Sequence, residues 1–398
     1  MKLKNDITHE ELLEISKQTN KSIEEVFNDY KYALKDLEYS IKKINSIITK
    51  FNYNTNFTGV NIKGYGLNDE LKNKYICFEN IDKVNNFDTD QLAIVTGFGP
   101  TDAPTAGTLA TIFKTLELQR ETGIYTHIII SELSALNSRQ KSLDDLFFNT
   151  KQFISFIKKL GFDESNGEIR THNYLDHSRT FSIISSVFKI SDFIEGEATD
   201  EMYKRLNLLG NDYSTIVSQA YTVSDIVLPI IRDKKKGVIV PAGLEEHLYP
   251  TLAQIGIDRI KAKSGGIEKL INPQAFICAL YGKLIGGLFP YVKMSKSIKD
   301  SSINLGDDKE TIYKKIVECG ERNEDVVLQM ITLASNWNYN IVSDATQAYN
   351  NRKIDYNKWL IYKKRYFNYF LEIKQMWDDS KFDKEINTYN ELFGKEDF

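Results

Sequence analysis

One stretch decides the fold: residues 92–121, which read LAIVTGFGPTDAPTAGTLATIFKTLELQRE. Its first part, residues 92–96, is short and mostly apolar, as a buried strand requires. A turn with two glycines follows, and residues 106–121 then place apolar side chains on one helical face. Residues 126–131 predict a second buried strand, and residues 143–160 predict a second helix. Because short apolar strands alternate with helices, this region predicts a parallel sheet covered on both faces.

The rest of the chain extends this pattern in both directions. Further strands are predicted at residues 169–171 and 237–240, with mostly helical sequence between them. Helical periodicity returns from about residue 308 and continues nearly to the end. Near the N-terminus, Ser22 and Glu25 match the capping box that opens a helix.

Composition and charge exclude several classes of protein. The 398 residues carry 51 Lys plus Arg against 55 Asp plus Glu, a net charge of −4. A generally basic nucleic-acid coat is therefore excluded, and any RNA contact needs a local patch. Three cysteines, odd in number and far apart, fit neither a disulfide framework nor a zinc cluster and indicate a reducing compartment. No apolar run reaches membrane-spanning length, so we expect a cytoplasmic protein without a membrane partner.

The turn after the first strand is where an open α/β sheet binds its ligand. Unpaired backbone N–H groups and the dipole of the next helix attract phosphate there. The candidate residues of this turn are Gly97, Phe98, Gly99, Pro100, Thr101, Thr105, Gly107 and Thr108. Gly107 would let a base or a ribose lie against the helix backbone. The turn therefore predicts a nucleotide site.

A second candidate for phosphate chemistry is the loop Lys293-Met294-Ser295-Lys296-Ser297. Its two lysines can meet the charge that develops when a triphosphate is split between its α and β phosphates. The alternative is an ordinary solvated loop, which the position past the last predicted strand argues against. The histidines show no metal-ligand spacing, so we expect no metal held by the protein.

These observations predict the fold class and three domains. We expect an α/β protein whose Rossmann-like, nucleotide-binding parallel-sheet domain covers residues 91–306. A helical C-terminal domain follows at residues 307–398, and a mostly helical N-terminal extension precedes the sheet at residues 1–90.

Two motifs then carry a family resemblance: PTDAPTAGT at residues 100–108 and KMSKS at 293–297 resemble the ATP-binding motifs of class I aminoacyl-tRNA synthetases. The segments SQAYTVSDI (218–226), PAGLEEHLYPTLAQI (241–255) and SSINLGDDKETIYKKI (301–316) resemble the tryptophanyl and tyrosyl subclass. The layout is most similar to the archaeal and eukaryotic-type tryptophanyl enzymes, over roughly residues 92–320.

The resemblance implies ATP and Mg²⁺ as cofactors and gives roles to the two motifs. Lys293 and Lys296 would neutralise the leaving pyrophosphate, with Met294, Ser295 and Ser297 in the same ATP-binding loop. Thr105 and Thr108 would hold the triphosphate, in place of the two histidines that the family usually carries. Gly243 and Glu245 would hold the ribose, and Glu246, where the family has Gln, adds a charge.

The resemblance also implies an amino-acid site on the segment 218–226. Its predicted residues are Ser218, Gln219, Thr222 and Asp225, with Glu132 and Tyr221 as neighbours. The family's tyrosyl members carry Tyr and Gln where Ser218 and Thr222 stand, which favours tryptophan as the substrate. Asp225 would accept a hydrogen bond from the indole N–H, and an acid on the helix surface is the alternative interpretation. His177 and His247 could line the cleft, but ordinary surface roles are expected for them.

A basic stripe in residues 352–374 is the best candidate for a tRNA contact. Trp359, Tyr362, Tyr366 and Phe370 recur at helical spacing and are expected to pack inward. Lys363, Lys364 and Arg365 are expected to face outward, toward the tRNA backbone. The resemblance further implies a homodimer.

Two other functions stay open at this point. A synthetase-like paralogue would make the adenylate but deliver the amino acid to an acceptor other than tRNA. A non-catalytic descendant would bind tRNA or a nucleotide as a regulator, and the intact KMSKS loop weighs against it.

Overall fold

The structure is a computed structural model that describes residues 9–19, 21–27, 44–67, 69–139, 142–172, 175–194, 213–289, 291, 294 and 299–382. The chain forms two compact units. The sheet unit comprises residues 53–103, 108–283 and 369–398, and the helical unit comprises residues 1–52, 104–107 and 284–368. Each unit is thus assembled from separate stretches of sequence. The domain boundaries expected near residues 90 and 306 remain predictions.

The sheet unit contains one six-stranded sheet, formed by described residues, with the order β1-β6-β5-β2-β3-β4. The strands are β1 (Tyr75–Glu79), β2 (Leu92–Phe98), β3 (Thr126–Ile130), β4 (Gly167–Arg170), β5 (Gly237–Gly243) and β6 (Phe276–Gly282). All neighbours run parallel except β1, which pairs antiparallel with β6. This mostly parallel sheet with flanking helices confirms the predicted Rossmann-like α/β fold.

The α-helices whose two ends are both described are α1 (His9–Thr19), α2 (Glu70–Lys74), α3 (Ile81–Val84), α4 (Ala106–Thr122), α5 (Glu132–Arg139), α6 (Leu143–Lys159), α7 (Leu175–Ser185), α8 (Ile190–Ile194), α9 (Tyr213–Ile231), α10 (Leu248–Lys261), α11 (Lys309–Ile316), α12 (Glu324–Leu333), α13 (Tyr339–Asn350) and α14 (Tyr356–Asp379). Residues 23–27 and 44–50 are also helical. The predicted helices at 106–121 and 143–160 are confirmed as α4 and α6. Within the predicted helical stretch 173–231, residues 195–212 lie outside the described chain.

The central strands are apolar throughout because both of their faces are buried. Val95 of β2 and Val238 of β5 face one core cluster, which includes side chains of α9 and α10. Ile94 and Ile239 face the opposite cluster, where Leu118 of α4 packs against them. Successive residues of one strand therefore serve two separate cores, as the strand period requires.

Helix α9 corrects one expectation from the sequence. By length and composition it is apolar enough to cross a membrane, so the expectation that no run reaches this length is wrong. Most of α9 is buried within the protein, including Val223, Val227 and Ile230. Core packing therefore accounts for its apolar character.

The helical unit shows the predicted capping box and the aromatic stripe. The amide of Ser22 donates to Oε2 of Glu25 at 2.8 Å, and the amide of Glu25 donates to Oγ of Ser22 at 3.2 Å. Trp359 and Tyr366 of α14 are fully buried, as the helical spacing predicts.

Two strands were not predicted individually. β1 lies in a region rich in Asn and Gly where only unspecified short strands were expected, and β6 follows the strand expected to be the last. Both are largely buried because they pair with each other at one side of the sheet.

Candidate active site

The start of α4 is fixed by a segment from much later in the chain. Within the helical unit, the amide of Ala106 donates to the carbonyl of Ile303 at 3.0 Å, and the amide of Leu305 donates to the carbonyl of Pro104 at 3.0 Å. Thr105 and Asn304 form the antiparallel bridge between these two segments. The residues that follow the 293–297 loop are thus held at the start of the predicted phosphate-binding helix.

The predicted turn begins two residues later than expected, because Gly97 and Phe98 are the last residues of β2. Phe98 is buried, and its carbonyl accepts from the amide of Ser131, just after β3, at 2.9 Å. Gly99, Pro100 and Thr101 follow between β2 and α4. The carbonyl of Thr101 accepts from Nδ2 of Asn149 on α6 at 3.4 Å. Neighbouring elements therefore hold it at the carboxyl edge of the sheet, where such folds bind ligands.

The hydroxyl residues of the first motif flank an open glycine. Thr105 is buried before the first turn of α4, and Thr108 lies within that turn, half-buried. Among described residues, a Cβ at Gly107 would meet only Oγ1 of Thr105, at 3.6 Å. The helix surface at Gly107 is open enough for a ligand to approach the backbone.

Most of the second motif cannot be placed. Lys293, Ser295, Lys296 and Ser297 lie outside the described residues, and Met294 is half-buried. Their roles toward ATP remain predictions.

The end of β5 brings a carboxylate close to the backbone. Oε2 of Glu245 would lie only 2.5 Å from a Cβ on Gly243, so this position admits no larger residue without a shift. Glu245 and Glu246 are exposed in the short turn that follows β5. Buried Lys114 of α4 lies near both, and their charges favour its charged form. The sequence analysis did not assign Lys114. Its neighbours on the same helical face, Ala110 and Leu118, are apolar, which indicates that this face of α4 is buried.

The predicted amino-acid site is built on α9. Ser218 is buried, and its Oγ lies 2.5 Å from Oγ of Ser134 on α5. Thr222 donates its hydroxyl to the carbonyl of Ser218 at 3.2 Å, so its own helix takes up that donor. Gln219 is buried, and its Oε1 lacks a hydrogen-bond partner among the described residues.

Asp225 is buried on α9, so the interpretation as a helix-surface acid is wrong. Its Oδ1 accepts from Nη1 of Arg170, at the end of β4, at 3.3 Å. Its Oδ2 lies 2.9 Å from Nε2 of His172. Nδ1 of His177 on α7 lies 3.3 Å from Oδ1. His177 and His247 are also buried, so the expectation of surface roles for them is wrong as well.

The charges of this group follow from its contacts. Burial would raise the pKa of Asp225, but the charge and hydrogen bond of His172 lower it to about 2. Burial opposes the charge on His172, yet Asp225 outweighs burial and raises the pKa of His172. Burial lowers the pKa of His177 to about 4. Asp225 and His172 therefore form an ion pair beside a neutral His177.

Flat rings cover this charged group on one side. The rings of His172 and His177 stack with Tyr221 at centroid distances of 5.0 and 5.2 Å, and Phe181 stacks on Tyr221 at 4.5 Å. Glu132, the first residue of α5, accepts from the amide of His172 through Oε1 at 3.0 Å.

Several buried polar atoms near Asp225 or elsewhere on its helix lack a hydrogen-bond partner within the described chain. They are Oε2 of Glu132, Nδ1 of His172, both ring nitrogens of His177 and Oε1 of Gln219. An unsatisfied buried polar atom costs about 1–3 kcal/mol. A group of them beside an aromatic stack is an arrangement that a ligand with polar and flat apolar parts would satisfy.

The same residues do not fit a metal ion in this arrangement. Candidate ligand atoms of His172, His177 and Asp225 lie within 4.8 Å of one another. However, the two imidazole rings are nearly parallel, with an interplanar angle of 19° and centroids 4.7 Å apart. An ion bound by an imidazole nitrogen lies near the plane of that ring, so one ion cannot serve both rings. The Arg170 guanidinium beside Asp225 also opposes a second cation.

The predicted tRNA contact needs one correction. Lys364 and Arg365 are exposed on α14, but Lys363 is fully buried, so the prediction that it faces outward is wrong. Nζ of Lys363 lies 3.6 Å from Oε1 of Glu324 and donates to the hydroxyl of Tyr356 at 2.8 Å. Lys363 lies at helical spacing between Trp359 and Tyr366, so the sequence already indicated that Lys363 is on the buried face of α14.

The fold is similar to that of aminoacyl-tRNA synthetases of solved structure. The tryptophanyl-tRNA synthetase of Aeropyrum pernix superimposes with a TM-score of 0.67 at 16% identity, covering 86% of this chain and 95% of that chain. One from Encephalitozoon cuniculi, bound to tryptophan, gives 0.65 at 17%, covering 87% and 98%. A tyrosyl-tRNA synthetase from Archaeoglobus fulgidus, complexed with L-tyrosine, gives 0.57 at 16%, covering 78% and 98%.

Residues 245–369, about a third of the chain, match the family described as tRNA synthetases class I (W and Y). The resemblance to the tryptophanyl and tyrosyl subclass is therefore confirmed. A comparison with curated proteins found no match.

Proposed function

We propose that this chain activates tryptophan with ATP and transfers it to tRNA. In the first step a carboxylate oxygen of the amino acid bonds to the α-phosphorus, the bond to the β-phosphate oxygen breaks, and pyrophosphate leaves. In the second step a hydroxyl of the terminal tRNA ribose attacks the acyl carbon, and AMP leaves with the electron pair. The family that residues 245–369 match supports this reaction class.

The observation that carries the proposal is the pairing of residues 104–106 with 303–305. It joins the segment after the KMSKS loop to the start of α4, so the two motif regions with predicted roles toward ATP are linked by direct hydrogen bonds. The amide of Ala106 is used in this pairing, and the first turn of α4 follows it directly, where a helix offers backbone amides and its dipole to a phosphate.

The remaining roles in ATP binding follow the predicted residues. Lys293 and Lys296 would neutralise the pyrophosphate as it leaves, and Thr105 and Thr108 would contact the phosphates. Glu245 would accept a hydrogen bond from a ribose hydroxyl. Mg²⁺ would enter with ATP and offset phosphate charge, because phosphate oxygens are ligands that Mg²⁺ prefers.

The group around Asp225 supports an amino acid with a flat side chain and a polar hydrogen. Arg170 and His172 each occupy one oxygen of Asp225, and a carboxylate has about four acceptor positions. Asp225 therefore retains capacity for an indole N–H, while Tyr221 offers a flat apolar surface. Gln219 and Glu132, with unsatisfied oxygens, are suited to the charged amino group of the substrate.

The test is ATP–pyrophosphate exchange measured with each standard amino acid in turn. We expect exchange with tryptophan alone, abolished by Lys296→Ala. Lys309→Ala, which removes an exposed lysine at the start of α11, is the matched control and should exchange normally. Exchange with a different amino acid would correct the substrate, and no exchange with any of them would overturn the proposal.

The acceptor is tested in a second assay. Charging of tRNA by the same preparation supports the synthetase function, whereas exchange without charging would indicate another acceptor. Binding of tRNA without exchange would indicate a regulator. We also propose a cytoplasmic homodimer, which light scattering of the purified protein and localisation of the tagged chain would test.

A further inference from the structure

A buried lysine outside both motifs lies at the carboxyl ends of β5 and β6. Lys114, in the middle of α4, has only 5% of its surface exposed. Its ammonium group packs against Gly282, the last residue of β6, where any side chain would displace it. The ring of Tyr75 lies 5.8 Å from Nζ. Within the described chain, no residue forms a hydrogen bond or ion pair with this ammonium group.

The charges that act on Lys114 come mainly from the turn after β5. Burial lowers the pKa of Lys114 to about 8, and the charges of Glu245 and Glu246 oppose that effect. Lys74, the next cation nearby, is already paired with Glu117. Lys114 is therefore a largely charged buried group whose electrostatic partners are the two exposed carboxylates.

Those carboxylates pose a problem for a nucleotide. Glu245 is the residue proposed to hold the ribose. Beside it, burial and the charge of Glu245 raise the pKa of Glu246 to about 7, so Glu246 carries part of a second negative charge near neutral pH. A triphosphate nearby would be repelled by both, because like charges placed together at a binding site lower affinity. Lys114 lies against Gly282 and the Glu245 carboxylate lies against Gly243, and these two glycines pair directly across β5 and β6. A buried cation this close to the pair reduces that repulsion.

We propose that Lys114 is a positioning residue of the nucleotide site, offsetting the charges of Glu245 and Glu246 so that ATP can bind. This inference rests on the proposed function and extends it to a residue outside both motifs. Lys114 acts through the two carboxylates and makes no contact with the reacting phosphate. Its contribution concerns ATP affinity and leaves the rate of the bound complex unaffected.

The test compares Lys114→Met, Glu246→Gln and the double variant by ATP titration calorimetry and by exchange kinetics. Lys114→Met should weaken ATP binding and raise KM for ATP by about tenfold with kcat nearly unchanged. Adding Glu246→Gln should restore most of the affinity, because it removes one of the charges left uncompensated. Lys114→Arg should keep more affinity than Lys114→Met.

The control is Lys363→Met, which also removes a buried lysine but should leave KM for ATP unchanged. Denaturant unfolding of each variant separates a loss of folding from a loss of binding. If the wild type binds ATP and Lys114→Met binds it equally well, or if the double variant is no better than Lys114→Met, the role of Lys114 is refuted. If the wild type neither binds ATP nor exchanges, the proposed function itself fails.

Discussion

Two buried charge networks, one in each unit, use similar residues to different ends. In the sheet unit, Asp225 meets Arg170 and His172, and several polar atoms around it lack partners among the described residues. In the helical unit, Glu324 lies 2.7 Å from Nε of Arg352 and 3.6 Å from Nζ of Lys363, which also donates to Tyr356.

The difference between them lies in hydrogen-bond satisfaction. Each oxygen of Glu324 has a cation, so the helical network is complete and can act as a structural tie between α12 and α14. In the sheet network, buried donors and acceptors beside an aromatic stack have no hydrogen-bond partner among the described residues. Such atoms reduce the stability of the fold, so their presence indicates a function other than folding. Buried charge therefore indicates a ligand only where its hydrogen-bonding capacity is left incomplete.

The largest expected effect is that of Asp225→Asn. The amide leaves the buried His172 without its carboxylate partner and leaves Arg170 with only Glu168, 3.7 Å from its Nε, so the free energy of unfolding should fall by roughly 3–5 kcal/mol. Exchange should fall by on the order of a hundredfold, because the amide cannot replace the carboxylate as a charged acceptor. Urea unfolding and exchange kinetics measure both, and exchange within twofold of wild type would make this network purely structural.

Glu324→Gln should reproduce the loss of stability without the loss of activity. We expect the free energy of unfolding to fall by about 2–3 kcal/mol. The loss is smaller than for Asp225→Asn, because Lys363 keeps its hydrogen bond to Tyr356 and Arg352 is partly exposed. The kcat/KM for exchange should stay at the wild-type value at a temperature where the variant is folded. If exchange falls as it does in Asp225→Asn, the helical network also contributes to activity and the two networks do not differ in function.

The histidines of the sheet unit predict a pH dependence of stability. Because the pKa of His177 is about 4 in the folded protein and 6.5 ordinarily, the unfolded chain binds more protons between these values. Glu246, whose pKa is raised to about 7, has the opposite effect, because the folded chain then binds more protons than the unfolded one. The contribution of His177 is that stability falls as pH is lowered from 6.5 to 4, and one proton corresponds to about 1.4 kcal/mol per pH unit. His127, also with a lowered pKa, acts in the same direction.

His177→Phe should remove part of that slope and leave the part due to His127. Urea unfolding at a series of pH values measures the slope, and His9→Phe, on exposed α1, serves as the control. An unchanged slope in His177→Phe would mean that His177 is protonated in the folded state.

The smallest effects concern the exposed neighbours of the helical network. Lys364→Ala and Arg365→Ala should each weaken tRNA binding about threefold and reduce the salt dependence of binding by about one counterion. Lys363→Met should change neither the affinity for tRNA nor its salt dependence, because Lys363 is buried in its ion pair. Filter binding at several salt concentrations tests this, and an effect confined to Lys363→Met would reverse the assignment.

The sequence was sufficient where information is local. β2, β3 and β5 are apolar runs that read as strands wherever they pair, and Ser22 and Glu25 cap a helix within four residues. β1 is less obvious, because its strand character depends on pairing with β6, which is distant in the sequence. The local sequence of β1 does not indicate which distant segment pairs with it.

The candidate site follows the same rule. Asp225 and Gln219 could be assigned because both lie on one helix within a recognisable segment. Arg170 and His172 could not, because the end of β4 reaches Asp225 only in the folded sheet unit. His177 was a possible cleft residue, but the sequence did not relate it to Asp225. Lys363 could have been assigned, since its spacing to Trp359 and Tyr366 places it on the buried face.

The antiparallel pair at the side of the sheet also affects how the chain emerges from the ribosome. β1 ends at Glu79 and its partner β6 begins at Phe276, so roughly 200 residues separate them. At about 5–20 residues per second, translation leaves β1 without its partner for on the order of 10–40 s. During that interval the segment YICFE presents an open hydrogen-bonding edge that another nascent chain can occupy. Codons that slow the ribosome between these strands would lengthen this exposure, whereas slow codons beyond residue 282 would not.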